Sequence, residues 1–286
     1  MGLRRSLVLT GYAFSVVLLS SVSSTLGSSA SPGTEGLISI PAGSYVPLYA
    51  EPLRKSATEG SVRNPASTSV KVPAFLIAPY PVTNAEFLQF VTSHPEWKRS
   101  AVRPLFADSR YLKDWRSDIE YSGRAKQPVT YVSWFAAKAY CKSHGQRLPT
   151  TQEWEHVARA SESKVDAGED DAFLSRILGW YARHDVEIAE VGTWKNYYGV
   201  YDMHGLIWEW VSDFNSALVT GESRGDAQEE RNLFCGGGAA FASEKQKRDY
   251  AAFMRYAFRS SLEGNFSLPQ LGFRCASDPK PKGRVS

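Results

Sequence analysis

The sequence predicts one α+β domain with few regular elements and long loops. Three observations carry this. Capped stretches with helical periodicity occur at a few places only. Strand-like runs are short and interrupted by proline or glycine. The second half is rich in aromatics and glycines and shows no repeat of 20–50 residues, which excludes a solenoid or a propeller. With 286 residues, 43% of them hydrophobic, the chain can bury a sizeable core.

The N-terminal segment reads as an address. Arg4 and Arg5 precede an apolar stretch from Leu7 to Leu19, and small residues follow. This is the layout of a secretory signal peptide, with cleavage between Gly27 and Ser31. The apolar stretch is short for a span of about 20 residues. Residues 1–30 are therefore expected to be a signal peptide, leaving a periplasmic or secreted protein with no stable membrane span. Residues 37–279 are expected to form a single domain, and 280–286 a flexible tail.

Within that domain, "LISIPAGSYV" (37–46) reads as a strand broken at Pro41 to Gly43. Residues 50–70 are polar and read as loop. A further strand runs through Phe75, Leu76 and Ile77. Thr83 and Glu86 have capping-box spacing, and Phe87, Phe90 and Val91 form an i, i+3, i+4 face, so a helix is expected there, ended by Pro95. Residues 98–128 show no clean period. Two helices follow. The first begins near Ser133, packs Phe135, Ala139 and Tyr140 inward, and stops at Gly145. The second is opened by Thr150 with Glu153 three places on, and buries Trp154, Val157 and Ala158. Residues 161–173 read as an acidic surface loop, followed by short aromatic-rich segments.

The formal charge of +3 and the absence of any run of five or six like charges give no electrostatic reason to expect a nucleic-acid partner. Aromatic residues make up 13% of the chain, which suits a compact aromatic core better than a binding surface. The five histidines show no HxxxH or HxH spacing. Cys141, Cys235 and Cys275 are an odd number for an exported chain, and spacing alone does not pair them.

Several segments, in order, resemble one family, the formylglycine-generating enzymes or sulfatase-modifying factors. They are "IPAGSY" (40–45), "FLIAPYPVTNAEFLQFV" (75–91), "QPVTYVSWFAAKAYCKSHGQRLPTTQEWEHVARA" (127–160), "NYYGVYDMHGLIWEWVSDF" (196–214), "CGGG" (235–238), "RYAFRSS" (255–261) and "LGFRCA" (271–276). The resemblance implies a C-type-lectin-like fold with little regular secondary structure. It also implies a disulfide between Cys141 and Cys275.

One departure bears on the chemistry. Family enzymes that make formylglycine use two nearby cysteines, which bind copper(I) as thiolates, the soft ligands that ion selects. Here the matching interval, "GGGAAFASEKQKRDYAAFMRYAFRSS", holds no cysteine. Ala251 aligns with the second active thiol and Gly238 with a serine. The chain is therefore expected not to be a formylglycine generator, although that activity stands as the family's default. Two accounts remain. One is oxidative maturation of a peptide-derived or protein substrate, as in exported relatives linked to the pyoverdine siderophore chromophore or found with copper nitrite reductases. The other is a non-catalytic accessory protein that binds a partner polypeptide during metalloenzyme assembly. The redox metal or cofactor of the first account is unassigned. Cleft candidates are Trp208, Cys235, Gly238, Arg255 and Arg259. For Cys235 a small buried hydrophobe is the alternative to a working thiol.

Glu209 sits between two tryptophans, where an unpartnered carboxylate would be costly. An arginine (Arg255, Arg259 or Arg274) is one remedy. The other is structural calcium, which the resemblance implies through Asp202, the carbonyls of Met203 and Gly205, and Glu209, all hard oxygen donors. Acid–base work by Glu209 is a third reading.

Overall fold

A computed structural model describes residue 2 and residues 36–45, 69–183, 187–215 and 244–279. The chain divides into Met1–Ala30 and Ser31–Ser286. The expected signal peptide, apart from Gly2, and the expected tail lie outside the described residues.

The first expectations are met. Strands β1 (Ile38–Ile40) and β2 (Gly43–Tyr45) are separated at Pro41, which has no N–H to give a ladder. Strand β2 pairs antiparallel with β3 (Val70–Val72), and β1 pairs antiparallel with β4 (Phe75–Ile77) in the register Ile38↔Ile77. Helix α1 (Asn84–Ser93) carries both halves of the capping box. The Thr83 hydroxyl accepts from the Glu86 N–H, and the Glu86 carboxylate accepts from the Thr83 N–H. Phe87, Phe90 and Val91 are buried on its inner face.

The next stretch holds a short hairpin where no period was legible, β5 (Trp115–Ser117) with β6 (Glu120–Tyr121). Helix α2 (Trp134–Ser143) starts at Ser133, but its face is turned from the one expected. Ala136, Ala137, Tyr140 and Cys141 are buried, while Phe135 and Ala139 are partly exposed. Small alanines let the helix backbone approach the core, and Phe135 packs edge-on against Phe106 instead. Helix α3 (Thr151–Ala158) has the predicted capping box and buries Trp154, Val157 and Ala158.

Two helices were not foreseen. Helix α4 (Asp171–Tyr181) begins at the end of the stretch read as acidic loop, and Asp170 is its N-cap, accepting from the N–H groups of Ala172 and Phe173. Acidic residues at a helix start are favourable, so the charge run that suggested a loop also marks a helix N-terminus. Helix α5 (Glu244–Ser260) follows later in the chain. The two pack together, with Phe173, Leu174 and Ile177 against Ala251.

Strand β7 (Trp208–Trp210) pairs parallel with β8 (Leu271–Phe273), and β9 (Ala276–Ser277) joins the edge of β4. Gly272 in β8 has no room for a side chain, since a Cβ there would come within 2.4 Å of the Val129 carbonyl oxygen. Cys141 and Cys275 are disulfide-bonded, tying α2 to the β8–β9 turn. Around this junction lies a core that includes Phe87, Tyr140, Trp210 and Phe273.

Candidate functional site

The site is built on β7. Alternation along the strand sends Trp208 and Trp210 to one face and Glu209 to the other. Trp210 is fully buried and donates its indole N–H to the Val132 carbonyl at 2.9 Å. The Glu209 carboxylate meets Arg274, one residue beyond the end of β8. Arg274 Nη2 donates to Oε1 at 2.7 Å and Nε to Oε2 at 2.8 Å. Trp154 adds an indole N–H at 2.9 Å. Arg274 spends its other donors on the carbonyls of Tyr201, Ala78 and Pro79. Both side chains are wholly buried, and each partner is satisfied by the other and by the backbone. Of the three arginines considered, Arg274 is the one that neutralises Glu209.

Asp202 and Glu209, the two carboxylates of the expected calcium set, are each engaged by protein donors. Asp202 adopts φ +58° at the centre of a tight loop. Its carboxylate accepts from Thr193 N–H (2.9 Å), Thr193 Oγ1 (2.6 Å), Trp194 N–H (2.9 Å) and Gly192 N–H (2.5 Å). A cation shared by Asp202 and Glu209 would have to displace these donors and Arg274. Among the described residues, no three His, Cys, Asp or Glu side chains converge on one point. Met203 and Gly205 keep their places in the loop, with Gly205 at φ +90°. In this arrangement the two carboxylates of the expected calcium set are already satisfied by protein donors, and as placed they do not fit the ion. Protein N–H groups and a guanidinium supply the positive charge the ion would have brought.

Arg255 and Arg259 do lie beside Trp208, but not as open forks. Both hold Glu155, a carboxylate on the buried side of α3. Arg255 reaches it through Nη2 at 2.7 Å and Nε at 2.9 Å, and Arg259 through Nη1 at 2.7 Å. Burial alone would raise the Glu155 carboxyl, but the two guanidiniums outweigh it and hold it down at about 2. Arg259 also lies over the Trp154 ring, 4.6 Å from its centre. Nearby His204 bonds the Ala158 carbonyl through Nε2 at 2.8 Å. Burial, helped by the Arg255 charge, pushes it down to about 3, so the ring is neutral at ordinary pH.

Trp208 is enclosed. Phe258 stacks on it at 4.5 Å and Tyr181 at 5.0 Å, with Trp180 at 5.2 Å. The cavity among Trp208, Tyr181, Phe258, Arg255 and Arg259 has a volume of about 10 Å³, room for one water. Cys235 and Gly238 lie outside the described residues. Ala251, the position aligned with an active thiol, is buried in the α4–α5 contact.

The reading from sequence missed Glu155, Tyr181 and Phe258. A signal for Glu155 existed: Arg255 and Arg259 are four apart, one turn of a helix, and two adjacent cations need a shared acceptor. Tyr181 and Phe258 gave none, since they reach Trp208 only through the unforeseen helices.

A family model described as "Sulfatase-modifying factor enzyme 1-like domain" matches residues 22–279. Similar proteins include the formylglycine-generating enzyme of Bos taurus, 28% identical over 89% of this chain and 78% of that one. The formylglycine-generating enzyme of Mycobacterium tuberculosis is 27% identical over 85% of this chain and 98% of its own. The "Inactive C-alpha-formylglycine-generating enzyme 2" of Bos taurus is 27% identical over 79% and 83%. Among solved structures, PvdO from Pseudomonas aeruginosa superposes with a TM-score of 0.42 and 19% identity over 87% of this chain and all of that one.

Proposed function

The chain belongs to the sulfatase-modifying factor family, with its formylglycine-generating-enzyme-like α+β fold, and we propose that it is an exported maturation factor that does not itself generate formylglycine. One observation carries the negative half. Two of its three cysteines, Cys141 and Cys275, are bonded to each other, so Cys235 is the one thiol left in the chain. A copper(I) site needs a pair of thiolates, and a single chain cannot supply it. The burial of Ala251 against α4 points the same way. The test is incubation of pure protein and copper(I) with a Cys-x-Pro-x-Arg peptide. No aldehyde is expected, and its appearance would overturn the reading.

The positive half is a polypeptide or peptide-derived substrate handled in the periplasm, such as a siderophore chromophore precursor or a metalloenzyme under assembly. Its accessory form is favoured by the charges around β7. Glu209 is neutralised by Arg274, and Glu155 holds both Arg255 and Arg259. These glutamates are thus poorly placed for general acid–base work. The oxidative form requires a redox metal or cofactor from outside the described residues. Metal content and oxygen uptake with candidate peptides separate the two. An inert protein that co-purifies with one exported partner supports the accessory form, and uptake that tracks a bound redox metal supports the oxidative form.

A further inference from the structure

A second cavity lies elsewhere, between the β5–β6 hairpin and the segment before β8. Its volume is about 370 Å³, enough for a small organic molecule or a long side chain. Buried Trp115 and half-buried Tyr121 form an aromatic wall, their rings edge to face at 5.9 Å. The opposite polar wall is already committed. Gln127 accepts from the Arg124 N–H at 2.7 Å and donates to the Ile188 carbonyl at 2.6 Å. Asn84 donates to the Arg124 carbonyl at 3.3 Å.

Asp114 is different. It lines the same cavity, yet among the described residues its carboxylate has no hydrogen bond and no ion pair. Partial burial raises its pKa, against the opposing charge of Lys113. Asp108, Asp118 and Glu162, by contrast, are matched by Arg110, Ser100 and Arg176. The backbone on either side is held in the left-handed region at two non-glycine residues. Leu112 has φ +48° and Tyr131 φ +54°, joined by a 2.8 Å hydrogen bond from the Leu112 N–H to the Tyr131 carbonyl. That bond ties the segment leading to Asp114 to the one carrying Thr130, another lining residue.

We propose that this cavity binds an organic cation, an alkylguanidinium or alkylammonium group, with Asp114 as its counter-charge and the Trp115–Tyr121 wall against its stem. The reasoning is electrostatic. A carboxylate at the solvent-exposed rim of a cavity, with no hydrogen-bond or ion-pair partner among the described residues, is free to pair with a positive ligand, and aromatic faces attract the same charge. The committed amides leave the carboxylate as the principal charged recognition element. The inference does not depend on the proposed function, because none of these residues lines the cavity beside Trp208.

The test is isothermal titration calorimetry on the full chain with three probes. Agmatine carries the cation free, acetyl-Gly-Arg-Gly-amide carries it on a peptide, and butylurea is a neutral mimic. The expected result is saturable one-site binding of agmatine or the peptide, none of butylurea, and weakening by about tenfold or more in Asp114→Asn. The tighter of the two cations identifies the source. Asp114 makes no internal hydrogen bond, so its variant should keep the parent melting temperature. Tyr121→Leu is the second variant and should weaken the same probe. Failure of both cations to bind, equal binding of butylurea, or binding unchanged in Asp114→Asn would each overturn the proposal.

Discussion

Glu209 and Arg274 form a wholly buried two-point pair at 2.7 and 2.8 Å, joining β7 to the residue that follows its parallel partner β8. Its consequence is asymmetric. Removing one partner strands the other charge in a low-dielectric interior. Arg274→Met should cost about 3–5 kcal/mol of stability, read as a lowered urea midpoint. The double variant Glu209→Gln, Arg274→Met should recover part of that loss. A double variant no better than the single would show that the packing of Arg274, not its charge, is what matters.

Acid should destabilise the protein in two stages. Burial depresses His204 from about 6.5 to about 3, and the arginines hold Glu155 down from about 4.5 to about 2. Both folded-state values lie below the unfolded ones, so each group's contribution is complete above its unfolded pKa and is lost as pH falls towards its folded pKa. His156, also lowered by burial, acts in the same direction as His204. Melting temperature should therefore decline from about pH 6.5 and more steeply below about 4.5. His204→Gln should flatten the upper stage and leave the lower one. A melting temperature constant from pH 7 to 4 would refute the assignment.

The Cys141–Cys275 bond closes a separation of 134 residues. Constraint of the unfolded chain should be worth about 2–5 kcal/mol. Reduction, or Cys141→Ala with Cys275→Ala, should lower the unfolding midpoint accordingly. Peptide mapping without reductant should yield a fragment linking residues 141 and 275.

Calcium should have no structural effect through the Asp202 loop. Its carboxylate already accepts four hydrogen bonds from Gly192, Thr193 and Trp194. Chelator should leave the melting temperature unchanged, and added calcium should not raise it. Thr193→Val, by contrast, should destabilise by about 1–3 kcal/mol, since it removes a donor from a buried carboxylate. A calcium-dependent rise in melting temperature that Thr193→Val abolished would reverse this reading.

Local signals were legible because they depend on neighbours in sequence. Thr83 with Glu86 and Thr150 with Glu153 marked two helix starts, and Pro41 marked the break between β1 and β2. Glu209 between two tryptophans announced that a buried charge needed a partner. The sequence alone could offer an arginine or an ion and had no means of choosing. Helix α4 went unseen because its acidic start is also the composition of a loop, and α2 was read in the wrong phase because small alanines, not Phe135, face the core.

By itself, then, the sequence determined the capped helices, the broken strands, the need to neutralise Glu209 and the shortage of thiols. Only the tertiary structure decided that Arg274 answers Glu209, that Glu155 occupies Arg255 and Arg259, and that Tyr181 and Phe258 enclose Trp208. Helix caps and turns are settled by hydrogen bonds within a few residues, whereas the ion pairs join side chains 65 to 104 positions apart and the stacking on Trp208 joins rings from separate helices. Their pairing depends on which surfaces the packed elements bring within a few ångströms.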